Sequence, residues 1–412
     1  MMRIRIFFSI FLFLTITEYG QSFDGFYNIQ STCSTHMISE KTDENRFSLS
    51  HTFFANHSES FGIFNTSINA NAFGKIKSGE DQEADKTKSK FESKITEFYI
   101  SMGSDSIFFD FGKKNIKTGT ALFKSPTYYF DSVSGSTWKR DSNSEKKTKE
   151  GTIGLKTEWI NPIFTVSEYF SPRITINDDR EKNIERFTSE QDFHRSLSSL
   201  SFRIKDLDMS LFFLYTKRNH GTKFNSGLTS NISIGESITF YIDASIADQK
   251  YNYLPDDNLY TIEESKINKP IEASSGMSYS INENNTLYAE YYYNGAGLNK
   301  SDYDYALDFM DKMNSFNYGS AALLSGKYGL FNMAKHYIMI RGSFSINDSY
   351  NFTAMNILNL YDKSGLFQSE INFDGEGFLI IFMGRNYYGR KKSEISFFSN
   401  IREASAEFEV YF

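Results

Sequence analysis

The residues that could do chemistry in this 412-residue chain are ionisable side chains set into alternating segments. Lys156 and Glu158 stand two apart in KTEWI, Arg203 follows SLSF, and Asp243 lies within ITFYIDASIA. Glu290 lies within LYAEYYYN and Arg341 within YIMIRGSFS, while Glu403, Glu407 and Glu409 punctuate the C-terminal segment. Residues two apart share one face of a strand, so these side chains all fall on the faces opposite the apolar residues. Acids and bases in such rings sort ions and solutes by charge, without making or breaking bonds. The bland reading of the same residues is a polar interior braced by paired charges.

Bond-making chemistry finds less support. The six histidines are His36, His51, His57, His194, His220 and His336, and none stands in a metal-binding spacing such as HExxH. His51 and His57 lie near Ser50, Ser58 and Glu59, but a nucleophilic triad is recognised by geometry and not by chain order. The expectation is no enzyme, no metal and no cofactor. Tyr291, Tyr292, Tyr293, Tyr387 and Tyr388 suit sugar stacking, or more simply an interfacial girdle with ring and hydroxyl at the headgroup level.

The elements that must position these residues are strands. Aromatics make up 17% of the chain, with 41 Phe and 26 Tyr, and there are only 5 Pro, a bias that favours ladders. The mean hydropathy is −0.45. After the N-terminus no run approaches the roughly 18 apolar residues of a spanning helix. A barrel that alternates lipid-facing and lumen-facing residues keeps its mean hydropathy low. The net charge of −7 argues against a nucleic-acid partner. Cys33 is the single cysteine, so no intramolecular disulfide forms.

The two ends carry their own signals. Arg3 and Arg5 precede the apolar run Phe7 to Ile16, and Gly20-Gln21-Ser22 offers small residues for cleavage, the pattern of an export signal over residues 1–22. Residues 23–412 then form one barrel domain. At the other end Ala404, Ala406, Phe408, Val410 and Phe412 alternate with Glu403, Ser405, Glu407, Glu409 and Tyr411. Phe408, Val410 and Phe412 mark this as the barrel-closing strand, because an open edge is not tolerated in lipid.

Candidate strands run from 45–56 to 402–412 and give an odd number. A bacterial single-chain barrel takes an even one, so the expectation is an antiparallel transmembrane β-barrel of about 16–18 strands. Residues 23–36 supply the missing strand. Tight turns fall at Asp206, Glu236 and Gly375-Glu376, and long charged loops at 74–90, 114–150, 171–195, 248–269 and 295–334. Short turns face the periplasm and long loops the exterior. Ser301 to Asn314 carries helical spacing at Tyr305, Phe309 and Met313. A barrel this wide encloses an aqueous channel, and any constriction must come from inward-folded loops or lumen side chains.

Three segments carry a resemblance. They are Gly112 to Gly119 followed by Pro126, Tyr288 to Gly297, and Asn356 to Ser369 with Lys392-Ser393-Glu394 downstream. Together they resemble the alginate-export-like and related porin-like barrels of Gram-negative bacteria. Thr118 stands where the first motif usually has Trp. The resemblance implies a 16–18-stranded outer-membrane channel without catalytic residues, and does not extend to alginate as the substrate. The expected activity is a passive pore for small hydrophilic solutes, with Lys156, Glu158, Arg203, Asp243, Glu290 and Arg341 lining it. A surface adhesin or structural barrel is the alternative, and a barrel-rim hydrolase a more distant one. The expected partners are outer-membrane lipids, the barrel-assembly machinery and small solutes, with a homo-oligomer left open.

Overall fold

A computed structural model describes residues 28–39, 45–61, 64–81, 86–116, 118–127, 151–174, 193–218, 221–255, 262–316, 328, 331–347, 349–376, 378–390, 392–395 and 402–411. The export-signal segment 1–22 and Phe412 lie outside these residues. The strands are β1 (Asn28–Ser39), β2 (Asn45–Phe61), β3 (Phe64–Asp81), β4 (Lys86–Gly103), β5 (Ile107–Lys114), β6 (Thr152–Ile160) and β7 (Phe164–Ser171). They continue with β8 (His194–Ile204), β9 (Leu207–Arg218), β10 (Gly221–Ile234), β11 (Ile238–Ala247), β12 (Gln249–Pro255) and β13 (Ile262–Asn268). Next come β14 (Ile271–Asn282), β15 (Asn285–Asn294), the helix α1 (Lys300–Phe316), β16 (His336–Asn347), β17 (Tyr350–Asn359), β18 (Gly365–Gly375), β19 (Phe378–Tyr388) and β20 (Arg402–Tyr411).

Eighteen of these strands form one antiparallel sheet, and β12 and β13 form a separate hairpin. Each strand of the large sheet pairs with its neighbours in sequence, β11 pairing with β14 across the hairpin. The ladder then returns on itself. β20 pairs with β19 and with β1, where Phe408 stands opposite Cys33 and Val410 opposite Ser31. The terminal strand read from the alternation thus occupies the closing position, and β1 fills the gap expected over 23–36.

Tight turns alternate with longer connections, as an up-and-down barrel requires. Lys205-Asp206 joins β8 to β9, with Lys205 at φ 53°. Gly235 takes φ 62° between β10 and β11, a left-handed conformation that glycine adopts without a Cβ penalty.

The strand period of two decides which side chains face outward. On β11, Phe240, Ile242 and Ile246 are exposed while Tyr241, Asp243 and Ser245 are buried. The outward face continues with Met277, Leu287, Ile340, Ile371 and Phe382, all large, apolar and exposed. A soluble domain would bury such a band. Here it runs along the outward faces of the described strands β5–β11 and β14–β19, the pattern of a barrel whose solvent on that side is lipid.

Two expected loops are regular structure. The segment 74–90 is not a free loop, because β3 and β4 extend into it and pair out to Asp81 opposite Lys86. The segment 248–269 is the β12–β13 hairpin. The helix expected over 301–314 is α1, which starts where Asn299 caps the Asp302 amide at 2.9 Å.

The main core lies on the inward side. Tyr292, Tyr337, Met339, Ile357, Leu366 and Tyr387 project inward from β15–β19 and pack against Phe123, Leu298, Tyr303, Phe309, Phe331 and Ile395 from the connections. Tyr292 and Tyr387 are therefore core residues and not girdle residues. Their strand neighbours Tyr291 and Tyr388 face outward.

Candidate functional site

Residues 115–116 and 118–127, the described start of the connection between β5 and β6, turn inward and run along the inner wall. Its first residues are held at β4, where the Asn115 amide donates to Glu97 Oε1 at 2.8 Å. Ile116 then packs on an inward cluster of Tyr169, Leu197, Phe212 and Leu214 from β7, β8 and β9. Phe212 and Leu214 interrupt the polar face of β9 for this reason: they seat the entering chain.

Residues 118–127 have no strand beside them, so their amides need other acceptors. Two carboxylates of the wall supply them. Asp243 on β11 accepts the amides of Thr120 and Ala121 at 2.8 Å each, together with the hydroxyls of Thr120 at 2.8 Å and Ser125 at 2.7 Å. Glu290 on β15 accepts the amides of Leu122 at 2.8 Å, Phe123 at 3.2 Å and Lys124 at 3.3 Å. Five consecutive backbone amides thus end on two carboxylates, through hydrogen bonds strengthened by the charge of the acceptor.

β14 lies between those two strands and is shaped to let this happen. Ser274 stands opposite Asp243, and its hydroxyl donates to the Lys124 carbonyl. Gly276 stands opposite both Tyr241 and Glu290. A side chain at Gly276 would occupy the space of the Tyr241 ring. With glycine there, Tyr241 crosses β14 and donates to Glu290 Oε2 at 2.8 Å.

The segment ends beneath a lid made by α1, residues 331–334 and residues 392–395. Phe123 packs edge-on against Tyr292, Phe331 and Tyr337. The Lys124 ammonium donates to the Phe331 carbonyl at 2.7 Å and to Asn332 Oδ1. Burial pushes this lysine well below its ordinary pKa, opposed by the attraction of Glu394 and Glu272. Glu394 is buried on the far side of Asn332. It accepts the amides of Asn332 at 2.9 Å and Met333 at 3.0 Å, and the side chains of Tyr337 at 2.9 Å and Asn359 at 2.7 Å. Burial raises its pKa above the usual carboxylate range, opposed chiefly by the Met333 amide. Asp362 completes the lid, accepting from the Glu394 amide at 2.8 Å and from the Tyr303 hydroxyl at 2.6 Å.

The six expected lining residues separate into distinct roles. Asp243 and Glu290 point inward but do not meet open space: both are buried, because segment 118–127 covers them. They are anchors of the segment and not lining groups. Lys156 and Glu158 sit half-buried on the inward face of β6 and pair with each other. Arg203 lies at the β8–β9 turn, exposed and paired with Asp208 at 2.6 Å, so it is far down the strand from the covered wall. Arg341 is inward and half-exposed, with no hydrogen-bond or ion-pair partner among the described residues. Its row continues across the sheet through Met355, Gln368 and Arg385 to Glu403. Arg385 donates to Gln368 at 2.7 Å. Glu403, Glu407 and Glu409 lie on β20, whose side chains are outside the described set.

From sequence, Tyr241, Ser274, Thr120, Ser125 and Lys124 carry no site role, and Glu394 is marked only as part of a family resemblance. One signal was available. Residues 118–127 read TGTALFKSPT, small and apolar, inside a connection that is otherwise densely charged from 139 to 150. Among the described residues no cluster of histidine, cysteine or carboxylate side chains has the makings of a metal site.

No protein-family model matches the sequence, and no curated protein matches it by sequence. The fold does match solved structures. OccAB1 of Acinetobacter baumannii superposes with a TM-score of 0.53 at 8% identity, covering 94% of this chain and 95% of that one. OmpF of Salmonella typhi, solved in complex with daunomycin, gives 0.47 at 9% identity over 93% and 96%. A mutant porin of Rh. blastica gives 0.45 at 9% identity over 94% and 100%. The chain has a porin-like fold.

Proposed function

We propose that the chain is a passive outer-membrane pore for small hydrophilic solutes, narrowed by segment 118–127. The observation that carries this reading is the seating of that segment. Five consecutive amides and two hydroxyls are committed to Asp243 and Glu290. Only an interior meant to hold a loop against its wall would bury two carboxylates for the purpose, since a buried charge is costly unless it is fully hydrogen-bonded. A wide barrel leaves an aqueous channel, and an inward segment sets its cross-section. Arg341 and Arg385 place positive charge on the inner wall, where it would favour anions.

The remaining assignments follow the same reading. Residues 1–22 serve as the export signal and residues 23–412 as the barrel domain. The assembly machinery reads the terminal strand, and lipids surround the apolar band. The resemblance to alginate-export-like barrels supports a channel of this general kind.

The test is conductance of the refolded mature protein in a planar bilayer. Stable stepwise currents are expected. A folded barrel that stays electrically silent overturns the proposal.

A further inference from the structure

The outward wall between β6 and β8 carries a feature that does not suit lipid. By strand parity Glu168 shares the outward face of β7 with Val166 and Phe170, both exposed, while Tyr169 between them is buried. Glu168 is the one carboxylate on the outward faces of the described barrel strands β5–β11 and β14–β19. It is inside the apolar band and not at its edge. In register, Phe111, Leu155, Phe170 and Tyr215 lie on one side of it, and Trp159, Val166, Leu200 and Leu211 on the other.

Two hydroxyls attend it. Ser196 and Ser198, on the outward face of β8, donate to its two oxygens, Ser198 at 2.5 Å. Each carboxylate oxygen has a second lone pair and can accept again. On its other flank Thr157 stands directly opposite Glu168, and its hydroxyl has no partner among the described residues. The row Thr157, Glu168, Ser198 is therefore an outward-facing polar triplet, half-buried at Thr157 and Glu168 and exposed at Ser198, with a free donor beside unfilled acceptors.

The strand that carries it is also short: β7 has 8 residues, against about 9–11 for a tilted strand that crosses the bilayer. Both observations place protein, and not acyl chains, against this surface. A donor and an acceptor side by side are self-complementary. A two-fold axis through the patch brings Thr157 of one copy onto Glu168 of the other, with Leu155, Trp159, Val166 and Phe170 packing around them, which is the isologous arrangement.

We propose that the outward wall of β6–β8 docks against the same wall of a second copy of this chain. The proposal rests on the barrel lying in a membrane and is independent of whether the pore conducts.

The test uses the full chain in membranes, with Cys33→Ser removing the native thiol. Thr157→Cys and Val166→Cys are each treated with a short bis-maleimide, and Ile371→Cys on β18 serves as the control on a distant wall. Covalent dimers are expected at 157 and 166 and not at 371. Adding Glu168→Leu to Val166→Cys lowers the cross-linked fraction by roughly ten-fold or more, because the two-fold axis makes each Thr157–Glu168 hydrogen bond to a charged group twice and both are lost. Monomers at all three positions, or equal cross-linking at 371, overturn the proposal. So does a Glu168→Leu variant that is more heat-stable with unchanged cross-linking, the behaviour of a carboxylate that faces acyl chains.

Discussion

The Tyr241 hydroxyl and the Leu122 amide meet on one oxygen of Glu290, each at 2.8 Å. Tyr241 comes from the wall and Leu122 from the inward segment, so a single carboxylate oxygen joins the wall to that segment. The bonds of the segment are outside the barrel ladder. The segment can therefore loosen while the barrel stays intact.

Glu290→Gln separates these two levels. The glutamine oxygen still accepts, but its NH2 group must face an amide or hydroxyl that also donates. At least one buried donor is left unsatisfied, a cost of about 1–3 kcal/mol. Hydrogen exchange at the amides of 120–124 should accelerate by roughly ten-fold or more at that cost, and single-channel current should become larger and noisier. Amides on the β14–β15 ladder should keep their protection. Unchanged exchange at 120–124 would falsify the anchoring role.

A glycine supplies an independent route to the same state. A Cβ on Gly119 would lie 2.7 Å from Asp243 Oδ2 and would overlap Ser125. Ser125 is itself a ligand of Asp243 at 2.7 Å, so Gly119→Val should displace both. Its currents should match those of Asp243→Asn, and the double variant should add little, since neighbours that share a partner are not additive. Additive effects would mean that Gly119 acts elsewhere.

The barrel was legible because the strand period is written into the residue types. ITFYIDASIA gives the faces of β11 by inspection, and the C-terminal alternation gives the closing strand. What lay beyond reading was any property that depends on two distant segments meeting. Asp243 and Glu290 were correctly placed on the inward face, but parity cannot say whether water or a loop stands in front of them. Tyr291, Tyr292 and Tyr293 are identical in type and adjacent. Strand parity with Glu290 already puts Tyr292 on the inward face, but only the lid core, invisible in local sequence, makes it a buried core residue. The β12–β13 hairpin was lost for a related reason: its charged residues mask the alternation that apolar ones would show.

Arg341 tests the polarity of the open part of the lumen. It stands inward on β16, in a row with Gln368 and Arg385, and has no partner among the described residues. An unpaired lumen cation acts on passing ions with little competition from a fixed counter-charge. Arg341→Glu should shift the reversal potential under a salt gradient toward cation preference, with single-channel conductance changed by less than about two-fold. Arg203→Glu, at the exposed turn, should leave the reversal potential where it was. Equal shifts from the two variants would show that the effect is one of total charge.

The lid should respond to pH through Lys124 and Glu394, with opposite signs. Burial raises the Glu394 pKa above the ordinary 4.5. Above that ordinary value the folded lid still holds a proton that the unfolded lid has released, so its stability falls as pH rises through the raised value. Burial lowers the Lys124 pKa below the ordinary 10.5. Between the lowered value and the ordinary one the unfolded lid binds more protons, so stability climbs with pH over that window. Exchange at the Asn332 and Met333 amides, corrected for its intrinsic pH dependence, reports both limbs. Glu394→Gln should flatten the limb that starts from acid, and Lys124→Met the limb that ends in alkali. A profile left unchanged by either variant would show that neither side chain titrates within the closed lid.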